Sequence, residues 1–468
     1  MTDDAPPFQR PLKQRSVWGW MAFDFAAQPF FTVVVTFIFG PYIVSQMADD
    51  PAQGQVAWGI AAGIAGLVIA LLSPVLGAIA DRAGPRKPFI AAFACLKVAA
   101  LCGLWFAAPG TSLFFALALL VTAQVAAEFS IVFNDAMLPT LVARQEIGRV
   151  SNIGWGLGFL GGMIVLFATV GLLAGSPDTG LTLLGLPPLF GLDPAAGEGA
   201  RATAPLSALW YVVFVLPMFL LVPDRAAREA IGPAIRDAGR DLKATFREIR
   251  TRRPLFRFML ARMIYQDGVN GLLVLGGAFA AGMFGWTVTE IGVFGILLNV
   301  TAILGCLAAS AVDSRLGSKV VVSTSILILV VATLGIVSTE PSSTLFGLLA
   351  FSVPTGAAPG LFATPAEQAY LGFGLLVGLS FGPIQASSRS WLAQSVTPDE
   401  AGRYFGFYAL TGRATSFLAP LSVSALTAVA VAFTDPVTAS RIGMSALIAF
   451  FVVGLMLLAG ARYPAARE

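Results

Sequence analysis

The stretch Gly77-Ala-Ile-Ala-Asp81-Arg82-Ala-Gly84-Pro-Arg86-Lys87 closes a long apolar run with a short, turn-rich basic loop. Gly77 carries no side chain and lets two helix backbones come close. Four residues on, Asp81 has the chemistry to cap a helix start or to pair with an arginine across the loop. Arg82, Arg86 and Lys87 hold the loop on the cytoplasmic side of a membrane, where Lys and Arg accumulate. Such a loop can latch one arrangement of two helix groups that move against each other; an ordinary basic loop obeying the positive-inside rule is the alternative. Gly77, Asp81, Arg82, Gly84, Arg86 and Lys87 are therefore the candidate conformational switch.

Composition sets the class. Of 468 residues 57% are hydrophobic and 12% charged, and the mean hydropathy is +0.81. A soluble domain carries about 25% charged residues, so most of this chain faces lipid or other apolar helices. A net charge of +3 is too small to argue for a nucleic-acid partner. Cys95, Cys102 and Cys306 lie inside apolar runs, which suggests neither disulfides nor a zinc site. There is no histidine, and no Gly-rich loop ends in Gly-Lys-Ser/Thr. No enzyme activity, cofactor or metal is expected. The polar Met1–Ser16 precedes an apolar run far longer than a signal-peptide core, so a retained spanning helix is expected there.

Crossing a bilayer takes about 20 apolar residues. Runs of that kind cover Val17–Met47, Val56–Ala80, Pro88–Ala107, Ser112–Phe133, Val150–Ala174 and Pro205–Val222, then Leu255–Phe284, Ile291–Val312, Val320–Ser338, Tyr370–Trp391, Ala414–Phe433 and Ile442–Ala461. The polar interval Pro223–Pro254 divides them six and six, with nine basic residues against five acids and a helix expected over Ala234–Arg250. Arg10, Lys13 and Arg15, then Arg82, Arg86 and Lys87, Arg144 and Arg149, Arg315 and Lys319, Arg403, and Arg462 and Arg467 fall in alternate loops, and the remaining loops hold mostly acids such as Asp49, Asp178, Glu340 and Glu367. Both termini and the central segment are thus expected to be cytoplasmic. The expected fold is an all-α membrane protein, with twelve transmembrane helices in two six-helix pseudo-symmetric halves. Its parts are a tail (1–16), a first half (17–222), a linker (223–254), a second half (255–462) and a tail (463–468).

The halves echo each other. Asp313, Arg315, Gly317 and Lys319 repeat the Asp81 loop in weakened form, which adds Asp313 and Arg315 to the switch. Glu146-Ile-Gly148-Arg149 matches Glu400-Ala-Gly402-Arg403, and that register sets Gly158 opposite Gly412. Parallel repeats of this kind place a substrate near the midplane between halves. The loops Gly175–Ala204 and Glu340–Glu367 carry apolar stretches too short to span, which are expected at the interface or folded over the mouth. The glycines Gly154, Gly156, Gly158, Gly161 and Gly162, and Gly59 with Gly63, read as close-packing faces.

The Asp81 loop resembles the loop signature of the major facilitator superfamily. Four further stretches narrow the resemblance: Phe23-Asp24-Phe25-Ala26, Tyr265-Gln266-Asp267-Gly268-Val269, Gly382-Pro-Ile-Gln385-Ala-Ser-Ser-Arg389-Ser390, and Tyr404-Phe-Gly-Phe-Tyr408 leading to Gly412-Arg413 and Pro420. Together with Ser151 and Gly154-Trp155 they resemble the bacterial members of the vacuolar-effluxer family, the autophagy-related permeases. That resemblance implies a secondary transporter, and fungal relatives are associated with amino-acid release from the vacuole. This chain departs from the family pattern at Phe25, at Ala27-Gln28 and at Phe133-Asn134-Asp135-Ala136, positions of the presumed cavity, so an amino-acid substrate is not carried over.

Charged groups inside spans are costly and face a cavity or pair with one another. The candidates for substrate binding and coupling are Asp24, Gln28, Lys97, Glu128, Asn134, Trp155, Tyr265, Asp267, Asn270, Gln385 and Arg389. Acids among them are read as acceptors of protons or sodium ions, bases as anchors for a substrate carboxylate or phosphate. Buried pairs that fix helix packing, for instance Asp267 with Lys97 or Arg389, are the alternative. The expected function is secondary active transport of a small polar metabolite, as a monomer in the bilayer of a bacterial inner membrane. A transporter of amphiphilic or lipid-like molecules, or a receptor or scaffold that does not transport, stays open beside it.

Overall fold

In a computed structural model that describes residues 11–48, 50–176, 179–351 and 360–461, the apolar runs become helices. Among the described residues twelve are long and apolar enough to cross a membrane. In chain order, spans one to six are Arg15–Met47, Gln53–Ala83, Lys87–Phe106, Leu113–Leu141, Arg144–Leu173 and Glu198–Leu221. Spans seven to twelve are Arg253–Phe284, Thr289–Leu316, Ser318–Ser338, Pro365–Ser395, Pro398–Ala430 and Pro436–Ala459. A linker helix, Ile231–Thr251, lies between the two sets. Asp49, Asp178, Arg462 and the tail 463–468 lie outside the described residues.

Several helices run past the apolar stretches that announce them, because packing continues where hydropathy stops. Span four carries on through Asn134 and Asp135, both buried, to Leu141. Span ten begins at Pro365, and Glu367 forms its capping box: Thr364 N and Oγ1 donate to Glu367 Oε2 at 2.9 and 2.7 Å. The other carboxylate oxygen of Glu367 accepts from the Trp286 indole at 2.9 Å. In the loop before span ten, a two-residue ladder pairs Ser343–Thr344 with Leu349–Ala350.

Contacts divide the chain into two compact units, Met1–Thr245 with Val396–Leu410, and Phe246–Ser395 with Thr411–Glu468. In the first, span five lays its glycines on span one. A Cβ at Gly158 would sit 3.2 Å from Asp24 O, at Gly161 2.5 Å from Phe25 O, and at Gly162 2.3 Å from Thr32 Oγ1. In the second, span eleven meets span seven in the same way: a Cβ at Gly412 would lie 3.0 Å from Arg262 Nη1, and Thr415 Oγ1 donates to Met263 O at 3.3 Å. One constant offset therefore relates Gly158 and Gly161 to Gly412 and Thr415, and another relates Asp24 and Phe25 to Arg262 and Met263. The repeat extends to Lys87, which donates to Phe219 O at 2.8 Å, and Lys319, which donates to Ala461 O at 2.6 Å.

One expectation is corrected. Gly59 and Gly63 are not a close-packing face, since a Cβ at either would meet nothing within 4 Å. Their neighbours Val56, Ile60 and Leu67 are about 60% exposed, so this side of span two faces lipid. Asp24 and Asp267 share equivalent spans but not one register, because Asp24 is level with Arg262.

Two spans depart from regular winding. After Pro29, span one loosens to a wider turn over Phe30–Phe37. Span eleven is interrupted: one helix ends at Arg413 and the next begins at Leu418, with Ser416 N reaching Arg413 O at 3.3 Å and Leu418 N reaching Thr415 O at 2.8 Å across the gap.

Candidate functional site

The Asp81 loop is built as a socket for the start of span eleven. Asp81, 8% exposed, accepts from Gly402 N at 2.9 Å and from Arg403 N at 2.8 Å, capping a helix that begins at Ala401. Its Oδ1 also accepts from Arg86 Nη2 at 3.0 Å. Arg86 is fully buried and donates further to Ala136 O at 2.6 Å and Pro398 O at 3.1 Å. The approach demands glycine: a Cβ at Gly77 would lie 2.1 Å from Gly402 O, and at Gly406 2.3 Å from Ser73 O. Gly84 has φ +99, and a Cβ there would lie 2.2 Å from Ala226 O.

The polar interval after span six completes the socket. Asp224 accepts from the backbone N–H groups of Arg86 and Lys87, both at 2.9 Å, and so caps span three. Asp399 takes Arg225, which also donates to Pro398 O at 3.2 Å, and Arg228 at 3.0 Å. Burial lowers the pKa of Arg225 from its ordinary value, with the positive charges of Arg86 and Arg228 adding to the effect. Arg82 reaches Glu229 at 3.3 Å in a half-exposed pair of small worth. Asp224 and Asp399 escape a reading of the sequence; the signal available is an acid directly after proline at a helix boundary, in Pro223-Asp224 and Pro398-Asp399.

In the second unit Asp313 is the counterpart of Asp81, and it takes side-chain hydroxyls where Asp81 takes backbone N–H groups. It accepts from Ser318 Oγ at 2.8 Å and from Ser387 Oγ at 2.6 Å, and it is 2% exposed. Arg315 is exposed. The matched motifs before spans five and eleven each hold an internal pair, Arg149–Glu146 at 3.8 Å and Arg403–Glu400 at 3.3 Å.

Three candidates within spans are buried and short of partners. Lys97 is 1% exposed, its ammonium 3.9 Å from the Tyr211 ring centre and 5.2 Å from that of Phe30, and it makes no ion pair among the described residues. Asn134 is fully buried; its carbonyl accepts from the Trp20 indole at 2.8 Å, while neither amide atom of its side chain has a hydrogen-bond partner among the described residues. Asp267 is 2% exposed; Oδ2 accepts from Ala419 N at 3.2 Å, and Oδ1 has no partner among the described residues. Within its own unit, Asp267 makes no ion pair with Arg389 among the described residues. Instead Asp267 holds the second helix of the interrupted span eleven, and Arg262 holds the end of the first through Thr411 Oγ1 at 3.0 Å.

The remaining candidates are dispersed. Asp24, Gln28, Glu128 and Gln385 are half-buried, and Arg389 is 2% exposed. Trp155 packs on Phe159 at 5.7 Å between ring centres. Tyr265 OH bonds Ser388 Oγ at 2.7 Å, and Asn270 accepts from Gln266 at 3.1 Å.

With this geometry in hand, comparison with known proteins is decisive. A family model described as "Vacuole effluxer Atg22 like" matches residues 57–467. The chain belongs to the Atg22-like vacuole effluxer family. This Atg22-like chain is 26% identical over 462 residues to a Bacillus subtilis protein named an uncharacterized MFS-type transporter, YxiO, covering 94% of this chain and 93% of that one. It is 23% identical to autophagy-related protein 22-1 of Penicillium rubens over 60% of its own length, and there it spans less than half (44%) of the relative. Among solved structures it resembles the human organic anion transporter MFSD10, with a TM-score of 0.66, 16% identity and 97% and 100% of the two chains covered. It also resembles the proton:xylose symporter XylE, with a TM-score of 0.65, 11% identity and 97% and 96% covered. At such identities the likeness shows the fold, which is that of the major facilitator superfamily. The Atg22-like chain is thus a multi-pass membrane protein of an MFS-type transporter family.

Proposed function

We propose that the protein is a secondary active transporter that moves a small polar metabolite by alternating access, coupled to protons or another small cation. The observation that carries this reading is that Lys97 and Asp267 are buried within spans and neither has an ionic partner among the described residues. Groups of this kind are expensive to hold in a membrane and persist where a substrate or ion completes them. Lys97 serves as an anchor for substrate, with Asn134 offering an unsatisfied amide in the same unit. Asp267 accepts the coupling ion. The Asp81 socket is the latch: it stabilises the state in which the start of span eleven is docked, and Asp313 is its counterpart in the repeat.

The reading of Lys97 has a stability signature. An ammonium held by aromatic rings alone is destabilising relative to an apolar side chain of similar length. Lys97→Met is expected to raise the melting temperature by about 2–4 °C, near 1 kcal/mol, while abolishing uptake. A lowered melting temperature would mean that Lys97 is a packing element.

The basic loops support an orientation with both termini and the linker on the cytoplasmic side of a bacterial inner membrane. With Cys95, Cys102 and Cys306 replaced, a cysteine at Ala244, which is exposed on the linker helix, is expected to resist an impermeant maleimide in intact cells, whereas one at Ala195 reacts. The opposite pattern overturns the orientation. An untargeted metabolite comparison of cells with and without the gene, followed by uptake in proteoliposomes, identifies the substrate; a normal metabolite profile with no uptake argues for a receptor or scaffold.

A further inference from the structure

The two repeats part company at the ends of spans three and nine that lie away from the Asp81 and Asp313 loops. The constant offset that carries Lys87 onto Lys319 still holds there. Ala107 N donates to Leu104 O at 3.1 Å, and at the matching positions Thr339 N donates to Ile336 O at 3.3 Å. The same offset sets Trp105 on Val337 and Ala108 on Glu340. Each end is met by an arginine from near the start of a neighbouring span in its own unit. Arg201 of span six donates through Nε to Trp105 O at 2.9 Å, and Arg441 of span twelve donates through Nε to Val337 O at 2.7 Å.

From that shared bond the chemistry diverges. In the second unit the fork of Arg441 pairs with the Glu340 carboxylate. In the first unit Ala108 stands at the position of Glu340, and Arg201 makes no ion pair among the described residues. Its guanidinium lies 4.8 Å from the Trp105 ring centre instead, and neither Nη atom has a hydrogen-bond partner among the described residues. Arg201 is 9% exposed. Leu104, Ala107 and Ala204, beside these two residues in the chain, belong to a buried apolar cluster with Tyr42, whose hydroxyl donates to Ala107 O at 2.8 Å. A guanidinium in such surroundings is costly without an acceptor for its charge, and a planar anion that takes both Nη groups is the acceptor its geometry fits.

We propose that Arg201 is a binding site for an external anion, a carboxylate or phosphate that takes the guanidinium fork as Glu340 takes Arg441 in the second repeat. The site is distinct from Lys97. Trp105 stands about 12 Å from Lys97 along the axis of span three, farther than one carboxylate or phosphate can bridge. The inference rests on the comparison of the repeats and not on transport, so its test needs no substrate.

The test uses purified full-length protein carrying Lys97→Met, so that no anion held at Lys97 contributes. In a neutral detergent, replacing chloride by phosphate or acetate at equal ionic strength is expected to raise the melting temperature by about 2 °C once the anion reaches about ten times its dissociation constant. Adding Arg201→Gln is expected to remove that shift. Adding Ala108→Glu instead gives the first repeat the acid of the second; it is expected to raise the melting temperature by itself and to abolish the response. If Arg201→Gln does not fold, Ala108→Glu decides. A response to phosphate or acetate identifies a soluble anion as the ligand, and a response to short-chain phosphatidylglycerol alone identifies a lipid headgroup; either supports the site. A shift of equal size in Arg201→Gln, or one that survives Ala108→Glu, overturns the proposal. No shift with phosphate, acetate or phosphatidylglycerol also overturns it and leaves Arg201 as a cap on the last carbonyls of span three.

Discussion

Proteoliposomes carrying Asp267→Asn are expected to exchange substrate between equal concentrations at near wild-type rate, yet to accumulate none against a gradient. Asp267 is 2% exposed, and among the described residues only one of its oxygens is occupied, by Ala419 N. If that carboxyl takes up the coupling ion, a pH step of one unit supports about tenfold accumulation in a one-proton symporter, and the amide supports none. Asn retains an oxygen for Ala419 N, so folding is preserved. Normal accumulation by the variant defeats the coupling role, and failure to fold assigns Asp267 to structure alone.

Asp81→Asn is expected to undock the start of span eleven. The substitution weakens two charge-assisted bonds to Gly402 N and Arg403 N and strips Arg86, fully buried, of its carboxylate. Leaving a buried ion without its partner costs about 3 kcal/mol or more, a population shift of roughly 100-fold. Hydrogen exchange of the Gly402 and Arg403 amides should accelerate accordingly, and transport should slow with substrate affinity near wild type. Gly77→Ala tests the same contact without touching charge, because its Cβ would sit 2.1 Å from Gly402 O. Unchanged exchange at both amides, or a pure loss of affinity, sinks the latch.

Much of this architecture is legible in the sequence because the membrane enforces it. Apolar runs must be helices, which yields the twelve spans, and close helix contact needs small residues, which finds Gly77, Gly158 and Gly161. The same rule misleads at Gly59 and Gly63, since a glycine pair looks alike whether it meets a helix or lipid. Hydropathy ends span four too early because Asn134 and Asp135 are polar, although neighbouring helices bury them. Asp224 and Asp399 are lost among linker and loop acids: which backbone amide or arginine a carboxylate takes is decided by tertiary contact across more than a hundred residues. Asp24 and Asp267 look equivalent because each is an acid in the first span of its half. Only the contacts to span five and span eleven show that their depths differ.

The interruption of span eleven also has an electrostatic consequence. A helix that starts afresh inside the membrane brings its own macrodipole, with about half a positive charge at its first turn. Leu418–Ala430, 13 residues long, begins that dipole at the Asp267 carboxylate, which caps Ala419 N. That interaction is confined to the first turn, so the electrostatics of Asp267 act on the start of this helix and not along its length. If Asp267 takes up the coupling ion, the charge it neutralises is the one that this fresh helix start faces inside the membrane.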